Sequence, residues 1–174
     1  HSCCGPCSSY VLECLKDYFD ITVLYYNPNI YPEDEYIKRK DEQIKLIQKL
    51  NLFNVNYLDI DYLADDYKKE IVGLEDAPEG GKRCLKCFYL RLNKTANIAS
   101  EKVFDYFGTT LTVSPHKNSQ DINEIGFEIE NKNKIKFLYS DFKKADGYKK
   151  SIELSKKYGL YRQNYCGCKY SINK

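Results

Sequence analysis

Seven of the eight cysteines in this 174-residue chain fall into three tight groups, and any fold it adopts has to accommodate that grouping. The opening stretch, HSCCGPCSSYVLECL, holds Cys3, Cys4 and Cys7; Cys84 and Cys87 form a C-x-x-C pair, and Cys166 and Cys168 a C-x-C pair. Neighbouring side chains point in different directions and bridge to each other only with strain, so adjacent Cys3 and Cys4 make poor core and a poor disulfide. A secreted disulfide framework scatters its cysteines, whereas short spacings aim several sulfurs at one point and read as ligand sets. Cys14 stands apart, seven residues after Cys7 on an apolar helical face near Val11, and reads as a small core residue.

The length suits one metal-binding domain over residues 1–174 with room for a hydrophobic core. No run approaches the roughly 20 apolar residues of a membrane span and no signal-peptide pattern is visible, which favours the cytoplasm. The net charge of +2 conceals an asymmetry: residues 131–174 hold twelve Lys and Arg against three acidic residues, +9, and residues 1–130 carry −7. A basic run of this kind is a solvated face or a nucleic-acid surface.

Periodicity predicts alternating helices and strands. An opening helix over 6–18 is followed by an apolar strand over 21–26 that ends in Asn-Pro; residues 33–50 carry apolar positions at helical spacing between charges; 53–60 alternate as a strand. A charged helix over 62–72 and a turn-rich loop lead to Cys84 and Cys87 at the start of another helix, then to a buried strand over 103–113. A helix over 118–129, a strand over 134–142 and a helix over 145–159 capped by Gly159 complete the pattern. The alternation predicts an α/β fold with a parallel sheet flanked by helices. In such sheets ligands gather beyond the carboxyl ends of the strands, where helix N-termini stabilise anions and thiolates.

Four thiolates suffice for a structural zinc or an iron-sulfur cluster, and soft sulfur selects these over magnesium or calcium. A single zinc on Cys4, Cys7, Cys84 and Cys87 leaves Cys3, Cys166 and Cys168 idle, so a zinc-stabilised RNA-binding module without catalysis stands as an alternative.

The stretches HSCCGPC, YYNPNIYP, LEDAPEGGKRCLKCFYLRL, TTLTVSPHKN and SDFKKADGYKKSIELSKKYGLYRQNYCGC together resemble the QueH-type epoxyqueuosine reductases over nearly the whole chain. The resemblance implies a Rossmann-like fold of the nucleotide α-hydrolase kind, with the metal site at the carboxyl edge of the strands. It also implies a 4Fe-4S cluster beside a mononuclear iron, and action on tRNA carrying epoxyqueuosine in its anticodon, the last step of queuosine synthesis. In that family an apolar strand precedes the first cysteine motif, which here begins at His1, so that strand is expected before residue 1. Some members carry Asp at the position of Cys7, and the Ser-Gly-Gly loop of nucleotide pyrophosphatases is missing, which argues against ATP chemistry and so against the other enzyme alternative, a sulfur-inserting tRNA thiolase.

Converting an epoxide to an alkene releases the oxygen as water and consumes two electrons and two protons. Side chains supply protons, so the electrons are expected from an external donor through the metal centres. The expected division puts Cys4, Cys7, Cys84 and Cys87 on the cluster and Cys3, Cys166 and Cys168 on the iron, with Cys3 and Cys4 interchangeable. His1, His116, Asp141 and Tyr161 are the candidates for proton transfer or oxygen binding; a helix cap for His116, a turn cap for Asp141 and a core position for Tyr161 are their structural alternatives. With a tRNA substrate the basic segment reads as a phosphate surface through Lys143, Lys144, Lys149, Lys150 and Arg162, and Tyr161 or Phe88 is a candidate to stack on the unstacked base.

Overall fold

A computed structural model describes residues 1–172 and shows two β-α-β units side by side. The first runs β1 (Ile21–Tyr25), α2 (Glu33–Leu50) and β2 (Val55–Asp59), preceded by α1 (Gly5–Leu15). After α3 (Ala64–Glu70) and α4 (Lys82–Glu101), the second runs β3 (Tyr106–Phe107), α5 (Ser119–Asn133) and β4 (Lys136–Phe137), and α6 (Gly147–Lys157) follows. β1 pairs with β2 and β3 with β4, both parallel, as crossover helices require. Each pair is its own two-stranded sheet. Main-chain hydrogen bonds through residues 1–2 join them: the His1 amino group donates to Gly108 O (2.8 Å), Thr110 N to His1 O (3.0 Å) and Ser2 N to Leu24 O (2.9 Å).

The strands predicted over 103–113 and 134–142 shrink to two residues each, because side chains intercept the ladder. Thr109 Oγ1 accepts from Leu111 N at 3.1 Å, which turns the chain into a 3₁₀ turn at Leu111–Val113. Beyond β4, Asn123 of α5 donates to Ser140 O and accepts from Ser140 N, occupying the groups a neighbouring strand would use.

The helices follow their apolar spacing. On α4, Phe88, Leu92, Ala96 and Ala99 share one buried face, and with Phe107, Leu111, Ile122, Ile129 and Phe137 they form the largest core cluster. A second cluster, Leu12, Val23, Leu46, Val55 and Leu160, lies among α1, α2 and the first sheet. Pro6 sits in the first turn of α1, where its missing N–H is harmless, and Gly159, at φ +57, lies just past α6 as expected. Among the described residues no helix is long and apolar enough to cross a membrane.

Gly147 opens α6 against a turn with no spare room: a Cβ there would lie 1.7 Å from Phe142 O and 2.5 Å from the Tyr10 ring. Because the first obstacle is backbone, Gly147→Ala is expected to cost about 1–3 kcal/mol, within the range for overpacking. It should appear as a lower urea midpoint with an unchanged slope.

Candidate metal centre

The thiols of the first group converge because the chain changes conformation between them. Cys4 is extended (φ −174°, ψ 156°) and Cys7 lies one turn into α1, so consecutive residues that would diverge along a strand are folded toward each other. The sulfurs of Cys3, Cys4 and Cys7 lie within 4.8 Å of one another, with 3.8 Å between Cys3 and Cys4. Thr110, just after β3, accepts from Cys3 N at 3.3 Å. Hydrogen bonds from the Cys4 and Cys7 thiols hold the Cys3 thiol well below its ordinary pKa, while the shared proton with Cys3 pushes Cys4 up to about 11 and Cys7 well above its ordinary value. All eight cysteines are free.

Cys84 and Cys87 occupy the first turns of α4, where Gly80 N donates to Cys84 Sγ at 3.2 Å. Cys87 is buried in a small cluster with Tyr67, Ile71 and Cys168, and the Tyr67 hydroxyl lies 3.1 Å from Cys168 Sγ. Desolvation pushes the Cys87 thiol up to about 12, opposed by the nearby Arg91 guanidinium. The Cys166–Gly167–Cys168 turn is held from α2: Arg39, 2 % exposed and paired with Glu35 at 2.7 Å, donates to Cys166 O (3.2 Å) and Tyr165 O (3.3 Å). Tyr31 N donates to Gly167 O at 2.8 Å. Gly167 has φ +113°, and a Cβ would meet Arg39 Nη1 at 2.9 Å, so both backbone and space require glycine.

Cys3, Cys7, Cys84, Cys87, Cys166 and Cys168 all line one cavity of about 430 Å³, with buried Cys4 behind Cys3. Other residues lining it follow the strands, Asn29 after β1, Tyr67 after β2, His116 and Lys117 after β3, so the cavity opens beyond the carboxyl ends. Cys3, Cys4 and Cys7 form the tightest set, and Cys87 packs against Cys168, with Cys166 and Cys168 raising the pKa of Cys84 and Cys87. The reason is topological: α1 starts beside residues 108–110, whereas the C-terminal loop returns along α2 and α3 to the start of α4.

Two cations that the sequence reading missed stand among these sulfurs. Arg91 is 2 % exposed and follows Cys87 by one helical turn, a spacing that places it on the same face. Burial works against its charge, but Cys87, Cys166 and Cys3 hold its pKa above the ordinary value. Lys117 is half-buried; desolvation again opposes the charge and Cys166, Cys3 and Cys7 raise its pKa. No spacing rule marks Lys117, which reaches the cavity only because the loop after β3 does.

Of the four proton-transfer candidates, only His116 lines this cavity. It is exposed and its main-chain N donates to Ser114 Oγ; the cap of α5 is Asn118, not His116. His1 has both ring nitrogens engaged, with Thr109 Oγ1 (3.0 Å) and Tyr26 O (3.1 Å). Asp141 pairs with Lys143 at 3.0 Å, and the Tyr161 hydroxyl donates to Glu35 at 3.2 Å. Phe88 and Arg162 line the cavity, and Arg162 also donates to Ser155 Oγ and Ser151 O of α6. Lys144, Lys149 and Lys150 are exposed, and Lys143 is half-buried. Cys14 is half-buried on α1, outside the cavity lining.

Fold and cavity together define an α/β protein in which reduced thiols from three distant segments meet two cations beyond the strand ends. A family model described as epoxyqueuosine reductase QueH matches residues 1–174, and the chain belongs to that family. Proteins named epoxyqueuosine reductase QueH share 47% identity in Streptococcus pyogenes serotype M1 (98% of this chain, 68% of the relative) and 44% in Staphylococcus epidermidis (100% and 75%). The relative from Thermotoga maritima is 38% identical, with 99% of this chain and 88% of that protein covered.

Replacing Arg39 with Met removes one partner of a buried pair and frees the carbonyls of residues 165 and 166. Arg39→Met is expected to lower stability by about 3–5 kcal/mol in chemical denaturation. It should also speed thiol labelling of Cys168 in metal-free protein, which a purely global loss of stability would extend equally to Cys4.

Proposed function

We propose that this chain reduces epoxyqueuosine in the anticodon of tRNA to queuosine, the activity for which its relatives are named. The observation that carries the reading is the convergence of six free thiols on one cavity, with Cys4 beside Cys3, more than a single mononuclear site can use. The donor set fits a 4Fe-4S cluster with a second iron: all sulfur, and split into a set of three (Cys3, Cys4, Cys7) and a set of four (Cys84, Cys87, Cys166, Cys168). When bound, such centres would supply single electrons from an external donor and a Lewis acid for the epoxide oxygen.

The chain's own residues do the rest. Arg91 and Lys117 offset negative charge that accumulates as thiolates gather in a partly desolvated space. His116, exposed at the rim and lining the cavity, is placed to hold a proton for the departing oxygen. Phe88 offers an aromatic face to an unstacked base. Arg162 at the cavity and Lys143, Lys144, Lys149 and Lys150 before and along α6 supply a phosphate surface, in keeping with a cytoplasmic enzyme acting on tRNA. The two β-α-β units, joined through His1 and Ser2, read as one Rossmann-like sheet of the nucleotide α-hydrolase kind.

The test is anaerobic reconstitution with iron and sulfide, a chemical one-electron reductant, and tRNA bearing epoxyqueuosine, with loss of one oxygen followed by mass spectrometry. Formation of queuosine supports the reading; a colourless, zinc-loaded protein that binds the tRNA without changing it would overturn it. Fully loaded protein should contain more than about four iron atoms per chain. Cys84→Ala or Cys87→Ala should abolish the visible absorption, and Cys14→Ala should leave it intact. Combined Lys→Ala substitution at 143, 144, 149 and 150 should weaken tRNA binding and flatten its salt dependence at unchanged iron content, since the slope counts neutralised phosphates.

A further inference from the structure

Three residues lining the thiol cavity each keep a buried polar atom with no partner: Arg91 Nη2, Asn29 Oδ1 and Gln163 Oε1. Such atoms are rare in folded proteins because each costs the desolvation of an unmade hydrogen bond. Arg91 and Asn29 are 2 % and 3 % exposed, so bulk water does not serve them. Their geometry is also constrained. Arg91 Nε donates to Cys87 O at 3.2 Å and Nη1 to Asn27 Oδ1 at 3.4 Å, and Asn27 is itself held by Ser2 O at 2.9 Å, so only Nη2 is left over.

The metal centres do not supply partners for the two amide oxygens. Thiolate and sulfide are acceptors, as amide oxygen is, and thiolate-bound iron prefers sulfur to carbonyl ligands. One leftover donor and two leftover acceptors call for a ligand with one acceptor-only oxygen and two hydroxyls. An epoxide oxygen can only accept, and of the three unpaired atoms only Arg91 Nη2 can donate to it; hydroxyls can donate to the two amide oxygens.

Resting on the function proposed above, we infer that Arg91, Asn29 and Gln163 form the subsite for the oxygenated five-membered ring of the substrate. Arg91 Nη2 donates to the epoxide oxygen, and Asn29 Oδ1 and Gln163 Oε1 accept from the two ring hydroxyls. The product ring keeps its hydroxyls and loses the epoxide oxygen, so Arg91 is left unpaired and the product is held more weakly. The site thereby favours release once the oxygen has gone.

The test is binding of anticodon hairpins carrying epoxyqueuosine, queuosine or guanosine to iron-loaded protein without reductant, so that nothing turns over. Wild type should prefer epoxyqueuosine to queuosine by about tenfold and queuosine to guanosine by about a hundredfold, about tenfold for each well-made hydrogen bond. Asn29→Leu and Gln163→Leu should each weaken both modified hairpins by about tenfold and leave the guanosine hairpin unchanged. Arg91→Lys should erase only the preference for epoxyqueuosine over queuosine. Gln163 is half-exposed, so its variant keeps the test decisive even where a change at buried Arg91 impairs folding. Wild-type ratios in Gln163→Leu and Asn29→Leu would overturn the subsite while wild-type turnover leaves the reductase reading standing; absence of queuosine in the reductant assay would instead overturn that reading itself.

Discussion

Three segments about eighty residues apart each deliver sulfur to one cavity, and most of the architecture around it serves that convergence. Two groups arrive on the first turns of α1 and α4, where spacing by three residues brings sulfurs to one face and helix N-termini favour negative charge. The third has no helix to carry it. It arrives on a short turn whose carbonyls are gripped by Arg39 and whose central residue, Gly167, has the φ of +113° that favours glycine, close beneath that guanidinium. The buried pair of Arg39 with Glu35 is therefore less a source of stability than a clamp that sets where Cys166 and Cys168 lie.

Gathering thiols raises an electrostatic difficulty that the structure answers from within. Cys4 and Cys7 are pushed up chiefly because they give hydrogen bonds to Cys3, which is pulled down in turn, and Cys87 is pushed up chiefly by burial; neighbouring thiolates add to each rise. Arg91 and Lys117 are the internal counter-charges, and the sulfurs hold the pKa of each above its ordinary value against the cost of burial. Sulfurs and cations offset one another, so deleting either leaves a group without its counter-charge in a partly buried site. Bound metal would take over part of this task, since a cation that binds thiolate favours deprotonation directly.

Helix positions were largely legible because apolar spacing decides them: the face of α4 through Phe88, Leu92, Ala96 and Ala99 is visible in the chain alone. Strands were legible where pairing runs for several residues, β1 as an apolar run and β2 as an alternation. Around Gly108–Thr110 and Phe137–Ser140 the same apolar runs stop pairing after two residues, because Thr109 and Asn123 offer the backbone other partners. A side chain seventeen residues away along the chain, as Asn123 is from Ser140, leaves no local signature in the strand it interrupts.

The sequence by itself determined the chemistry: seven cysteines at ligand spacings, a basic C-terminal quarter and a set of motifs whose combination marks the family, all carried by residue types that no fold alters. Which of those residues meet is a matter of the folded chain's long-range contacts. The sulfurs of Cys3, Cys4 and Cys7 converge at the start of α1, and Cys87 packs against Cys168 from the far end of the chain. His1 and Tyr161 are taken up by Thr109, Tyr26 and Glu35, while Arg91, Lys117, Asn29 and Gln163, unremarkable as letters, stand at the cavity. Spacing constrains neighbours within a turn or two, whereas a cavity is made by distant segments. Its polar lining is therefore settled by which long-range hydrogen bonds are already made and which atoms are left without one.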